Sequence, residues 1–227
     1  MKDLKAFTLA EVLITLGIIG VVAAMTMPVL IQKQNEKATV VKLKKEYSVM
    51  SNALSRAVME YGDVANWGKA TYDVDRVNCD VIAEFLNIAK DCGHETKGCL
   101  PENYTFLDGS SGFREIETHE GYKKLILADG ASVSVVGYGY PITTNTAGEI
   151  WIDVNGLKKP NALGKDMFLF SIKADNTLRP HGLNELEATP DRINTNNYLT
   201  AAWVITHGNM DYLHCNDLDW KTKTKCK

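Results

Sequence analysis

Apolar residues run almost without interruption from Phe7 to Met27, after which the pattern changes to a three- and four-residue spacing. The first stretch holds about 21 residues, which at 1.5 Å each covers ~30 Å, the hydrocarbon thickness of a bilayer. In the second, Val40, Leu43, Tyr47, Met50, Leu54, Val58 and Tyr61 recur among Lys, Glu, Ser and Asn, which puts one apolar stripe on a helix. No proline but Pro28 interrupts the run before Gly62-Asp63, which reads as a stop. The pattern therefore predicts one helix from Phe7 to about Tyr61, its first half suited to a membrane and its second half packed on a head.

Downstream the periodicity shortens. Residues Val77 to Ala89 read as a short amphipathic helix. Two β-rich runs then flank Asp129-Gly130 in "KLILADGASVSVVGYG", a hairpin signal. Residues Glu149 to Gly156 and Met167 to Asn176 alternate apolar and polar positions, as half-buried antiparallel strands do. A last apolar stretch begins at Tyr198 and reads as a short helix or strand. One long helix laid across an antiparallel sheet is α+β by layer logic.

Composition narrows the function classes. The 227 residues carry a formal net charge of −3, with Lys and Arg scattered, so the basic footprint of a nucleic-acid binder is missing. His94, His119, His181, His207 and His214 fall in different segments without a neighbouring nucleophile or acid in a known catalytic pattern. His207 near Asp211 reads as a surface pair, and the chain reads as a non-enzyme.

Glu11 is the one carboxylate in the apolar run, where a charge costs a few kcal/mol even on lenient insertion scales. In a secretory signal peptide, Val22-Ala23-Ala24 would supply the small residues for cleavage, but the run continues through Met25 and Met27. In a plain anchor, Glu11 lies about 6 Å along the helix from Phe7 and snorkels to the headgroups. In a third reading the chain is cut before Phe7, exposing an α-amino group near Glu11. When such helices bundle with a stagger, the amine of one subunit neutralises the glutamate of a neighbour. The charge then sets register, as a buried polar residue does in a coiled coil.

The segment "AFTLAEVLITLGIIGVVAAMTMP", Ala6 to Pro28, resembles the class III signal of type IV pilins and type II secretion pseudopilins. That pattern is a short basic leader, a small residue, Phe at the cut, Thr-Leu-x-Glu, and an apolar helix with a proline near its end. Position by position, the resemblance implies prepilin peptidase cleavage between Ala6 and Phe7 and N-methylation of Phe7. It assigns assembly to Glu11 and a helix bend to Pro28. The family usually has Gly before the cut where this chain has Ala6, and alanine is small enough for cleavage to survive.

The implied organisation is a leader over 1–6, a transmembrane assembly helix over 7–28, an amphipathic continuation over 29–62 and a head over 63–227. Lys33, Lys37, Lys42, Lys44 and Lys45 follow the apolar run against Lys2 and Lys5 before it, so the flanks alone leave orientation open. The resemblance implies a single pass through the bacterial cytoplasmic membrane, with the leader inside and the head exported to the periplasm or cell surface. Its partners would be other pilin or pseudopilin subunits, prepilin peptidase and a membrane assembly platform, with no nucleic acid required. The alternative is a membrane-tethered exported binding domain with an uncleaved anchor.

Export favours disulfides over metal among Cys79, Cys92, Cys99, Cys215 and Cys226. Cys92 with Cys99 is expected to close a small loop, and His94 between them lacks the partners of a zinc site. Cys215 to Cys226 resembles the C-terminal disulfide-bounded region of type IV pilins, which leaves Cys79 as the odd thiol, buried as a small hydrophobe. Between the two alternating strands, Asp153, Asn155 and Asp166 are oxygen ligands on a chain turned by Gly156, Pro160 and Gly164. They suit either calcium or the capping of turns, and major pseudopilins bind calcium in a loop late in the head. No cofactor is expected, with calcium in this loop as the one candidate.

Overall fold

A computed structural model describes residues 8–67, 80–111, 115–138 and 145–226. The chain divides into two compact units after Ala38. Helix α1, Leu9–Tyr61, continues through Pro28. In the first unit none of the described residues is buried, and Leu13, Ile18 and Leu30 are each at least 60% exposed. This part of α1 is long and apolar enough to cross a membrane.

In the second unit α1 buries Val40, Leu43, Met50 and Leu54 of the predicted stripe together with Ala53 and Ala57, while Tyr47 and Val58 are half-buried and Tyr61 is exposed. Tyr47 stacks on Phe170 at 5.2 Å, and its hydroxyl donates to the Leu178 carbonyl at 3.1 Å. The helix stops where Gly62 turns left-handed at φ +78° and donates its N–H to the Val58 carbonyl. Glycine accepts that conformation without a Cβ penalty.

The sheet is an antiparallel meander in the order β1 (Ile88–Gly93), β2 (Lys123–Leu127), β3 (Ser132–Gly137), β4 (Thr146–Asp153), β5 (Met167–Lys173), β6 (Leu178–Pro180). Gly130 sits at φ +91° in the β2–β3 turn, the Asp129-Gly130 hairpin read from sequence. Two short helices follow, α2 (Leu183–Ala188) and α3 (Thr200–His207). The arrangement is α+β and pilin-like.

Register sorts the side chains onto two faces. Val133, Ile152 and Phe168 form one cross-strand row and Val135, Ile150 and Phe170 the next, all in the core cluster that includes the α1 stripe. The opposite face carries rows such as Ser134, Trp151 and Leu169, or Val136, Glu149, Ser171 and Arg179.

Two expectations fail here. The strands are not half-buried: every residue of β3 is buried, and all of β4 but Thr146. A second cluster of Cys92, Cys99, Tyr104, Ile116, Tyr122, Trp151 and Met167 covers the opposite face, so its serines and acids lie in the interior. Nor does the helix predicted over Val77 to Ala89 run its length. Helical turns end at Ala83, and β1 begins at Ile88, which pairs with Leu127. An edge strand exposed on one side shows mixed polarity that looks helical by periodicity alone.

Candidate functional site

At the start of α1, Thr8 and Glu11 cap each other. The Thr8 N–H and hydroxyl both donate to Glu11 Oε2, at 2.9 and 2.8 Å, and the Glu11 N–H reaches Thr8 Oγ1 at 3.3 Å. This is a capping box, which satisfies helix-end donors that lipid cannot. Its signal, Thr-x-x-Glu ahead of an apolar run, is plain in Thr8-Leu9-Ala10-Glu11, yet a reading centred on charge passes over it. Ala6 and Phe7 lie outside the described residues, so Glu11 is seen with Thr8 alone.

A second acid sits on α1 inside the head. Glu46 is 1% exposed, and its Oε2 accepts no hydrogen bond. Lys45 Nζ lies 3.1 Å from Glu46 Oε1 and also pairs with Asp129 in the β2–β3 turn. Burial, followed by the Asp129 carboxylate, pushes Glu46 up to about 7. Asp129 is pushed down, first by its hydrogen bond with Glu46.

One proton shared between these acids has a definite pH signature. The part due to Glu46 is fully present below its unfolded value near 4.5 and is lost as pH rises through about 7. The part due to Asp129 has the opposite sign, present above 3.8 and lost in acid. Glu46→Gln keeps the buried donor neutral, so between pH 5.5 and 8 its stability should fall ~1–2 kcal/mol less than that of the wild type. Parallel melting curves for the two proteins across that range would remove Glu46 from the account.

The three predicted oxygen ligands do meet. Asp153 is fully buried and Asp166 is 2% exposed. Asp153 accepts from the Tyr104 hydroxyl at 2.8 Å and the Asn155 N–H at 3.0 Å. Asp166 accepts from the N–H groups of Asn161 and Ala162, both at 2.7 Å, and from Asn155 Nδ2 at 3.2 Å. Burial and then the charge of Asp166 push Asp153 up to about 7, and burial raises Asp166. The Oδ1 atoms of Asn155 and Asn161 are enclosed and accept nothing. Asn161, with φ +54°, is a residue that sequence reasoning misses; its place next to Pro160 is its only mark. Among the described residues no group of three or more His, Cys, Asp or Glu could hold a metal ion.

Both expected cysteine pairs are disulfides in the structure, Cys92–Cys99 and Cys215–Cys226, while Cys79 lies outside the described residues. The first loop is held from within by Glu117, whose carboxylate accepts the N–H groups of Gly98, Cys99 and Leu100. Beside it Lys124, fully buried, donates to the carbonyls of His94 and Glu117. The second loop is docked by aromatic contacts. His207 lies 4.5 Å from the ring of Trp203 and 4.6 Å from that of Trp220. The expected surface pair of His207 with Asp211 is absent, because Asp211 accepts the Cys226 N–H at 2.8 Å instead.

Residues 1–27 match the prokaryotic N-terminal methylation motif, which marks a type IV pilin-like, prepilin-type signal. That motif implies processing by prepilin peptidase and assembly into pilin-like filaments, and the apolar helix beneath it is consistent with membrane anchoring. No curated protein and no solved structure matches the chain. Residues 29–187 match a family of unknown function, DUF6613. Since that match covers more than half of the 227 residues, the chain belongs to DUF6613 and carries a prepilin-type signal at its N-terminus.

Proposed function

We propose that this chain is a structural pilin-like subunit, cut between Ala6 and Phe7, methylated on Phe7 and drawn into a type II secretion or type IV pilus-type filament. The observation that carries the reading is an acid fixed in the first turn of α1, whose apolar part over the described residues 8–38 has no buried residue, inside a methylation motif. A carboxylate there stabilises the positive helix N-terminus and waits for a cation from a neighbour. The helix leaves its apolar surface for lipid before assembly and for other helices afterwards. Two disulfides in the head favour an oxidising compartment, hence export of that unit.

The mass and terminal sequence of protein taken from host membranes test this. An N-methylated Phe7 is expected. A chain that begins at Met1 would make the segment an uncleaved anchor, and one that begins at Met25 would make the protein secreted.

A second proposal concerns calcium. The all-oxygen donor set of Asp153, Asp166, Asn155 and Asn161 fits a hard divalent cation, and the two idle amide oxygens favour it over turn-capping alone. Such an ion would neutralise two buried carboxylates that otherwise repel each other. Melting at pH 8 should occur several degrees higher in calcium than in EGTA, and Asp153→Asn should erase the difference. Superimposable wild-type curves would leave the loop closed by its own hydrogen bonds.

A further inference from the structure

The C-terminal disulfide loop is tied to the head at its stem. The Leu218 carbonyl accepts from Asn194 Nδ2 at 3.1 Å, the Thr224 carbonyl from Asn209 Nδ2 at 3.0 Å, and the Cys226 N–H donates to Asp211 at 2.8 Å. Between those points, among the described residues, the tip bonds within its own loop. Asp219 accepts the N–H groups of Lys221 and Thr222, its own N–H meets the Lys223 carbonyl at 2.9 Å, and Lys223 pairs with Asp217. The tip grips the head through Trp220, which is 8% exposed and lies 4.6 Å from the ring of His207 and 6.1 Å from that of Trp203.

His207 is the member of this stack that can change its charge. Its Nε2 is enclosed and has no hydrogen-bond partner. A neutral imidazole leaves a bare lone pair there at modest cost. An imidazolium carries N–H on both nitrogens, and the one at Nε2 would find no acceptor. The C-terminal end of α3 and the ring faces of two tryptophans favour a cation, but a charged donor shut away from water costs more than these contacts return. Burial accordingly lowers the pKa of His207, with no acid countering it.

The charged groups around the ring offer it no partner. From α1, Lys44 reaches the end of α3, its Nζ 3.2 Å from where a Cβ on Gly208 would lie. After α3 comes Asp211, whose carboxylate is engaged by the Cys226 N–H. In the tip, Asp219 and Lys221 flank Trp220, with Lys223 and Lys225 beyond, and Asp219 is turned to its own backbone donors. Lys44 and Lys221 form no ion pair among the described residues, so a charge on His207 would meet like charge rather than relief.

We propose that His207 is an acid-released catch for the C-terminal disulfide loop. Neutral, it holds Trp220 and the tip against the head. Protonated, it leaves the stack for water and the tip swings out, while the disulfide and the stem bonds keep the loop attached. Stability from the closed tip is full above the ordinary histidine value of 6.5 and is lost as pH falls below it toward the lowered one.

Fluorine NMR of the full-length protein in detergent micelles, with fluorotryptophan in place of its tryptophans, tests the assignment. The Trp203 and Trp220 signals should shift together with a midpoint below 6.5, while that of Trp67, at the far end of α1, stays in place. The solvent-isotope shift of Trp220 should grow at least ~2-fold between pH 7.5 and pH 5 as the ring meets water. In His207→Phe, which keeps an aromatic wedge without a proton to gain, neither signal should titrate. A Trp220 signal unmoved down to pH 5 would overturn the proposal, and so would the same titration in the folded phenylalanine variant. A midpoint above 6.5 without a larger isotope shift would overturn it too, since the cation would then be held between the rings. If the variant fails to fold, the midpoint and isotope shift of the wild type decide alone.

Discussion

Glu11→Ala is expected to leave the protein in the membrane and out of the filament. Removing a carboxylate from an apolar span eases insertion by up to a few kcal/mol, so the membrane fraction should hold at least as much protein as in the wild type. The variant does lose half of its capping box, since the Thr8 N–H and hydroxyl lose their acceptor while the backbone N–H at position 11 still donates to Thr8 Oγ1, at a cost of about 1 kcal/mol. That is too little to unfold a helix supported by lipid. What disappears is the only acid of the span, so nothing offsets a neighbour's terminal amine, and incorporation into sheared filaments should fall at least ~10-fold. Glu11→Gln separates the two roles, because the amide oxygen still accepts from Thr8 while the charge is gone. If the Glu11→Gln chains assemble as well as wild type, Glu11 is a cap and nothing more. If they stay in the membrane with the alanine variant, the charge itself drives docking.

The long helix was readable because its signals are local. Apolar continuity, a three- and four-residue stripe and a terminal glycine need no partner to be recognised, and they lie along Leu9–Tyr61 as expected except that the stripe's last member, Tyr61, is exposed. The hairpin at Asp129-Gly130 was readable for the same reason. The burial of the sheet's second face was not. Ser132, Ser134, Glu149, Asp153 and Ser171 alternate with apolar residues just as solvent-facing positions would, and only distant chain packed over that face, such as Tyr104 against Asp153 and His181 against Ser171, makes them interior. The same distance from sequence to structure explains the sites. Asp153 and Asp166 bracket one loop, and their proximity could be guessed. His207 becomes notable only beside Trp220, which comes from the disulfide loop beyond α3. Glu46 sits on the buried stripe among alanines and leucines, where periodicity marks the position but says nothing of a carboxyl at it.

Glu117→Ala should be the most damaging single change in the head. Its carboxylate accepts three consecutive N–H groups at the end of the Cys92–Cys99 loop and just past it, two of them on buried residues, Cys99 and Leu100. Truncation leaves those donors in the interior with no acceptor, at about 1–3 kcal/mol each. The Cys99 bond is long at 3.3 Å and contributes least, which puts the total at ~3–5 kcal/mol. Lys124 adds to the loss, because its fully buried ammonium keeps its two carbonyl acceptors but loses the nearest compensating acid. For a head of this size the melting temperature should drop by about 10 °C. Glu117→Gln retains one acceptor oxygen and should fall between. Replacing Cys92 and Cys99 by serine should cost ~2 kcal/mol on loop entropy alone, and both changes loosen the same loop through Gly98 and Cys99, so they should not add. With the disulfide gone, the loop can swing its N–H groups to water, and Glu117→Ala should then cost less than half as much. An undiminished cost in that background would mean that the carboxylate holds the loop in place without help from the bridge.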